Sequence, residues 1–390
     1  MNSWLAYESN RAYVFQDLVW DPNHFPWPPE KIISIPPHTP LNALISGPTV
    51  GGSWDPMDKA PRSISHVWYD TVCPESDRKI ITTPEIKPAV ANAEGTEVFA
   101  AWERVLKDTP ERCVEIHHAG DDIFGQTFDL FLWTSPRLLS LWEDYKKSPV
   151  SRLLRASPLV QSAVYRNEYL FIPRGPRPPA PASTDPFDRM MALHLRRGDY
   201  VTHCEFLANR NESYYGWNQL EFLPDRFEFP AMNTTEEGKT EATTDGLAHY
   251  SKHCYPKHED IMEKARQSRD DFVRAAKEGE YRYLDMLYLA TNDHSEWLDN
   301  LKSILKQSGW RSILTTRDLE LDAEQKEVGM AVDMELARKA AVFVGNGVRI
   351  QSHESINSVS HFKPQWSSYS SNIVYRRLVD GREDITNRFF

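Results

Sequence analysis

Met190-Met191-Ala192-Leu193-His194-Leu195-Arg196-Arg197-Gly198-Asp199-Tyr200 is the stretch whose reading decides the fold. A mostly apolar run leads directly into two arginines and a Gly-Asp turn. An apolar run of this length, closed by a turn signal, predicts a buried strand. The arginines then stand at its carboxyl end, where open α/β sheets receive their ligands. Guanidinium forks match phosphate or carboxylate two-pronged, and Gly198 lets the backbone approach closely. A charged turn that simply meets solvent is the competing reading, and these residues alone leave both open. Arg197-Gly198-Asp199 as an integrin-type tripeptide is much the weaker idea, since tripeptides recur by chance.

Outward from this run, strand and helix patterns alternate. His258 to Lys277 has amphipathic helical spacing, and Tyr283 to Ala290 reads as a strand ending in Thr291-Asn292-Asp293. Ser295 to Gln307 follows as a helix with Ser295 as N-cap candidate. Ser312 to Thr316 is a short strand, Asp322 to Ala340 a helix, and Ala341 to Val344 a strand closed by Gly345-Asn346-Gly347. Such alternation builds a parallel sheet. The C-terminal half is therefore expected to be Rossmann-like, without the Gly-x-Gly-x-x-Gly fingerprint. Residues 201–256 read as polar and irregular.

Toward the N-terminus, residues 3–12 read as a helix and Ala12 to Phe15 as a strand. Asp21 to Pro61 is a long Pro/Gly/Ser/Trp-rich loop, a length that marks a binding surface or lid. Val98 to Leu106 and Leu138 to Tyr145 have helical spacing. The Pro-rich segment 173–186 is the clearest linker, which gives an N-terminal domain over 1–172 and a C-terminal domain over 187–390.

With 390 residues, 40% hydrophobic and 26% charged, the chain is long enough for two globular domains. A net charge of −11 argues against a general nucleic-acid or anionic-membrane surface, so any phosphate needs a local basic pocket. No run reaches the roughly 18–20 apolar residues of a membrane span, and the start carries no secretory pattern. Met1 to Tyr7 instead resembles the inside of a helix, so the chain is expected to begin within a domain. Cys73, Cys113, Cys204 and Cys254 allow three full pairings and contain no Cys-x-x-Cys. The sequons at Asn211 and Asn233 are glycosylation candidates. With the even cysteine count they make Cys204–Cys254 a candidate disulfide.

Three segments together resemble the GDP-fucose protein O-fucosyltransferase superfamily. His194-Leu195-Arg196-Arg197-Gly198-Asp199 looks like its His-x-Arg donor motif. Ala290-Thr291-Asn292-Asp293 matches a second strand end. Ala331-Val332-Asp333 through Gly345-Asn346-Gly347, resuming at Trp366-Ser367-Ser368-Tyr369-Ser370, matches the third. The likeness covers most of residues 186–390 and extends more faintly to Leu5–Phe15. It implies an α/β GT-B fold, two Rossmann-like domains facing a cleft, with the N-terminal one incomplete at its start. It also implies inverting, metal-independent transfer of fucose from GDP-fucose to a protein or glycan hydroxyl. Without a metal, cationic side chains must meet the charge developing on GDP, and Arg196 is the catalytic candidate for that task. His194, Arg197, Gly198, Asp199 and Asn346 would line the donor site, with Arg197 alternatively a structural support. Asp333 would read the guanine edge, and Ser367, Ser368, Tyr369 and Ser370 would hold the phosphates. The resemblance implies an ER or Golgi lumen, with a membrane reached only through an anchor absent from this chain, and no nucleic-acid partner or bound metal.

Two departures stand against the family pattern. Eighteen residues, Val348 to Gln365, separate Gly347 from Trp366 where the family runs on directly. They show neither helical nor strand periodicity and read either as a retained intron or as a surface loop. The family's opening strand and Gly-x-Asn-Asn-Gln turn are also missing, which leaves Glu115, Glu205 and Asp199 as unranked candidate bases. A non-catalytic or truncated relative that binds nucleotide sugar or glycoprotein without turnover is the alternative. His117-His118 with Asp121-Asp122, and His203, His253 and His258 with the neighbouring cysteines, are weaker metal patterns. Trp217 is either acceptor-cleft lining or a packed core aromatic.

Overall fold

A computed structural model describes residues 1–20, 38–120, 122, 125–172, 185–198, 200–234, 240–347 and 369–390. The expected linker at 173–186 lies almost wholly outside them, as do Asp121, Asp199, Ser367, Ser368 and the whole of 348–365. The chain divides into two compact units, Met1–Val160 and Gln161–Phe390.

The C-terminal unit is built on five parallel strands: β1 (Met190–Leu195), β2 (Met286–Thr291), β3 (Ser312–Thr315), β4 (Val342–Gly345) and β5 (Asn387–Phe389). Their spatial order is β3-β2-β1-β4-β5. β1 is central and buried along its whole length, pairing from Met190↔Met286 to Leu195↔Thr291 on one side and with Val342–Val344 on the other. A strand with neighbours on both edges and helices on both faces has no solvent side, which is why its sequence is apolar but for His194.

Alternation sorts its side chains. Met191, Leu193 and Leu195 join Leu287, Leu289, Val342 and Val344 in one core, together with residues of α3 (His258–Arg274) and α4 (Glu296–Gln307). α4 contributes Leu298, Leu301 and Leu305 at helical spacing, each stabilising by roughly 1.5–3 kcal/mol when fully buried. Ser295 caps it by accepting from the Trp297 N–H at 3.3 Å. Ala192 and His194 point to the opposite face. That face meets α5 (Gly329–Lys339) and α6 (Tyr369–Val379).

Several expectations give way here. The 201–256 region contains α1 (Tyr200–Asn209) and α2 (Thr244–Cys254), joined by the Cys204–Cys254 disulfide with Cα atoms 6.0 Å apart. Covalent linkage and burial of Tyr200, Leu207 and Tyr250 hold helices whose apolar stripe is weak. The helix expected over 322–340 is two, Ala323–Glu327 and α5, broken at Val328, where Gly329 disfavours continuation by about 1 kcal/mol. β5 is too short and polar to be seen as Asn-Arg-Phe. The Asp225 carboxylate accepts from Arg388 Nε at 2.8 Å, Arg388 Nη2 at 3.0 Å and the Phe389 N–H at 2.9 Å. Burial alone would raise the Asp225 carboxyl; Arg388 and Lys264 hold it below its ordinary value.

The N-terminal unit has no single wide sheet among its described residues. Val14–Phe15 pairs in parallel with Ile64–Ser65, and Arg78–Thr82 with Cys113–His117. The second pair is tied to the neighbouring helix His66–Val72 through Cys73–Cys113, Cα–Cα 5.7 Å. The helix Gly95–Asp108 packs Phe99 against Trp4 at 4.1 Å between ring centroids, and Trp102 is fully buried. Segments of the expected 21–61 loop do form short elements, including a helical turn at Leu41–Leu44 and a 3-10 turn at Pro48–Val50. No described helix is long and apolar enough to cross a membrane.

Candidate functional site

The strand order places a topological switch between β1 and β4. The chain leaves β1 toward β2 and β3, whereas β4 and β5 lie on its other side. Connections diverge there, at the carboxyl ends, which is where open α/β sheets receive their ligands. Arg196-Arg197-Gly198 follows β1, Asn346-Gly347 follows β4, and the first turn of α6 carries Tyr369 and Ser370 to the same place.

His194 is the hub. Its Nδ1 and the Ser370 Oγ are hydrogen-bonded at 2.9 Å, and its ring lies 4.4 Å from that of Tyr369. Burial, with help from the Arg196 charge, pushes the imidazole down to about 3, so it is neutral in ordinary buffers. Arg196 is half-buried, its guanidinium carbon 5.4 Å from the Tyr200 ring centre. Gly198 turns the chain with φ +70°, in the left-handed region that favours glycine.

Arg197 does something different from its neighbour. Its guanidinium carbon is 3.7 Å from the ring centres of both Tyr255 and Trp297, and Nη1 donates to the Pro256 carbonyl at 2.9 Å. Asn292 continues the β1–β2 ladder one step past its last backbone pair. Its Oδ1 accepts from the Arg197 N–H at 3.0 Å, and its Nδ2 donates to the Arg197 carbonyl at 3.1 Å. A side-chain amide thus stands in for a peptide group and fixes the loop that presents Arg196. Arg197 is buried inside this support, which also removes it from any integrin-type display.

Asp333 on α5 accepts from the Tyr288 hydroxyl at 2.5 Å and from Thr316 Oγ1 at 2.8 and 2.9 Å. Burial raises its carboxyl to about 6 against the pull of those two hydroxyls. The same carboxylate, with burial, holds the Tyr288 and Tyr369 phenols well above their usual value. Asp333, Tyr288 and Thr316 form one hydrogen-bonded group on the α5–α6 face, with the Tyr369 ring between it and His194 and the Tyr369 hydroxyl buried without a hydrogen-bond partner among the described residues. Tyr288 and Thr316 went unnoticed in the sequence; Tyr288 could have been found from its register opposite Ala192, which gives it the parity of His194.

A second segment braces the β4 loop. The Tyr215 N–H donates to the Gly347 carbonyl at 3.2 Å, the Asn218 Nδ2 to the same carbonyl at 3.4 Å, and the Trp217 N–H to Ser371 Oγ at 3.0 Å. Trp217 is a packed aromatic, buried to 2% exposure. A methyl group on Gly347 would collide with the Tyr214 ring, and one on Gly345 would lie 2.9 Å from Ser370 Oγ. Asn346 Nδ2 donates to the Cys254 carbonyl at 2.8 Å. The Cys204–Cys254 bridge thus anchors both strand-end loops, Asn346 through Cys254 and Arg197 through Tyr255 and Pro256.

The remaining candidates are placed elsewhere. Glu115 binds Arg78 at 2.8 Å and faces His117 Nε2 at 2.8 Å, and Asp122 pairs with Lys87 at 2.9 Å. Glu205 is exposed on α1. His253 Nδ1 faces the Phe390 carbonyl, and His258 Nε2 the Trp297 carbonyl at 3.1 Å. With Cys204 and Cys254 bonded to each other, these histidines do not form a zinc set. Among the described residues no group of three or more His, Cys, Asp or Glu is arranged to hold a metal. Asn211 closes α1 with φ +52° and accepts from the Tyr250 hydroxyl at 3.4 Å, whereas Asn233 is exposed on a short hairpin strand.

No family model matches this chain, and no curated protein sequence does. Among solved structures it is similar to POFUT1 in complex with GDP, with a TM-score of 0.47 and 15% identity over 96% of this chain and 87% of that one. It is also similar to POFUT1 in complex with GDP-fucose, with a TM-score of 0.45 and 14% identity over 96% and 87%.

Proposed function

We propose that this chain is a fucosyltransferase-type glycosyltransferase whose C-terminal unit binds GDP-fucose at the β1–β4 switch point. The observation that carries the reading is the convergence there of Arg196, neutral His194 and the first turn of α6. A helix N-terminus offers N–H groups and positive dipole to a diphosphate, and Arg196 adds a half-buried cation. Asp333 would accept from the guanine N–H edge, taking part of the place that Tyr288 and Thr316 hold in the free protein.

In the reaction, the acceptor hydroxyl oxygen bonds to fucose C1 from the face opposite the diphosphate. The C1–O bond to the β-phosphate breaks and its electrons pass to the departing oxygen. The hydroxyl proton goes to a carboxylate base or to water. Arg196, acting without a metal, would be worth the most as that negative charge develops. The reading carries the GT-B architecture with it, with the unit Met1–Val160 supplying the acceptor side. Two disulfides and the exposed Asn233 sequon support a lumenal setting.

Calorimetric titration of GDP and of UDP into the full chain tests the donor assignment. GDP should bind at one site per chain and UDP at least about tenfold more weakly, the discrimination expected of a charged hydrogen-bond partner for the base. Equal affinities would remove guanine reading from Asp333. Repeating the titration on a chain lacking 348–365 shows whether that segment obstructs the site.

A further inference from the structure

A second pocket lies away from the switch point, before the amino end of β2. It has a volume of about 530 Å³ and is lined by Arg269, Asp270, Val273, Arg274, Tyr283 and Leu284. We infer that it binds an oxyanion carried on a planar apolar body, an aryl phosphate or aryl carboxylate, with Arg269 as the anchor and Tyr283 as the wall. This inference does not rest on the GDP-fucose reading.

The charge pattern carries it. Asp270 is already engaged, its carboxylate paired with Arg266 Nη1 at 2.9 Å, and Arg274 is bound to Asp271. Arg269 is not. Among the described residues its guanidinium makes no hydrogen bond or ion pair, and its carbon lies over the Trp310 ring, 4.8 Å from the ring centre. It is half-buried, so its five N–H donors stand at the edge of a concavity beside one ring. A guanidinium placed against a ring and left without an acceptor among the described residues is suited to two-point binding of a planar or tetrahedral oxyanion. The pocket volume is in the range of small-ligand sites.

The apolar part comes from Tyr283, Val273 and Leu284. The outer two are exposed, Val273 at 42% and Tyr283 at 39%, and so are open to a ligand. Arg189 lies 5.0 Å from the Tyr283 ring centre, and Tyr281 stacks beside it at 6.4 Å with rings 28° apart. These contacts hold Tyr283 in place, and a ligand ring can pack on what they leave open. What sets Arg269 apart is its place on the lining of a hollow beside apolar side chains and an aromatic ring.

The test is calorimetric titration of the full chain with phenyl phosphate, benzoate and inorganic phosphate, carried out in an Arg196→Ala background so that the switch-point site does not contribute. Phenyl phosphate or benzoate should bind once per chain, and Arg269→Gln should weaken it by about tenfold or more. Tyr283→Ala should weaken the aryl ligands toward inorganic phosphate while leaving inorganic phosphate unchanged. Preference for phenyl phosphate over benzoate assigns the site to phosphates, and the reverse to carboxylates. If Arg269→Gln melts early, Arg269→Lys keeps the charge and should retain weak phosphate binding with the aryl preference intact. Absence of binding by all three probes, or equal binding in Arg269→Gln with an unchanged melting curve, overturns the inference.

Discussion

Two adjacent arginines at the end of one strand divide the work between them. Arg197 is committed to the interior by two aromatic rings and a carbonyl, whereas Arg196 stays half-buried at the loop. Arg197→Ala should therefore cost about 2–4 kcal/mol of stability, from lost cation–π and hydrogen-bond energy, read as a lower denaturant midpoint. Arg196→Ala should leave the midpoint within about 0.5 kcal/mol and lower kcat by about 100- to 1,000-fold. Interchanged outcomes would mean that the two residues exchange roles. Asp333 sets a pH dependence. Its folded value near 6 lies above the ordinary carboxyl value of 3.8, so the free folded state holds this proton more tightly than the unfolded chain. The resulting stability is present in full below 3.8 and is lost as pH rises through 6. A ligand that donates to the carboxylate favours the ionised form, so GDP-fucose affinity should fall as pH is lowered through about 6. Asp333→Asn should flatten that profile between pH 5 and 8. GDP-fucose suits this measurement because its diphosphate is blocked and does not titrate there. His194, near 3 in the folded chain, stays neutral through that window and adds no slope to the affinity; its effect on stability runs the other way, with stability lost as pH falls below its ordinary value of 6.5.

At the scale of elements, the switch point depends on braces distant in sequence. The Cys204–Cys254 bridge closes a loop of 50 residues, and the chain-entropy model assigns such a loop about 4 kcal/mol. Cys204→Ser with Cys254→Ser should lower stability by up to that amount. It should also weaken GDP-fucose binding, because Tyr255, Pro256 and the Cys254 carbonyl hold the two strand-end loops. Unchanged affinity in a destabilised double variant would limit the bridge to stability alone. Gly347→Ala should cost about 1–3 kcal/mol as an overpacked contact, visible in the same denaturation curves, since the added methyl meets Tyr214.

The elements also show where sequence reading reaches and where it stops. β1 is apolar but for His194 and β4 is an apolar run, and α4 has both its leucine spacing and its Ser295 cap, so period and punctuation agree. β5 is invisible because its partners are ion pairs: Asp225 is more than 160 positions away from Arg388 and Phe389 in the chain. α1 and α2 are hidden by weak stripes whose packing is set by a disulfide. At the site, His194 and Arg196 are legible because they share a strand end. Tyr288, Thr316 and the Tyr214–Asn218 brace are not, since each acts through a partner brought near only by the fold.

For the whole molecule, a chain with net charge −11 has to bind anions at places where geometry concentrates cations. Two such places are present in the C-terminal unit: the β1–β4 switch point with Arg196 and α6, and the Arg269 pocket before the amino end of β2. The five-stranded parallel sheet places the first at its carboxyl edge by strand order alone. The most direct test is titration of GDP-fucose into the full chain and into Arg196→Ala at pH 7.5, with melting curves for both. One site per chain in the parent, weakened by about tenfold or more in a variant that melts like the parent, is the predicted result. Equal binding by the two proteins, or no binding by either, would contradict a nucleotide-sugar site at the switch point.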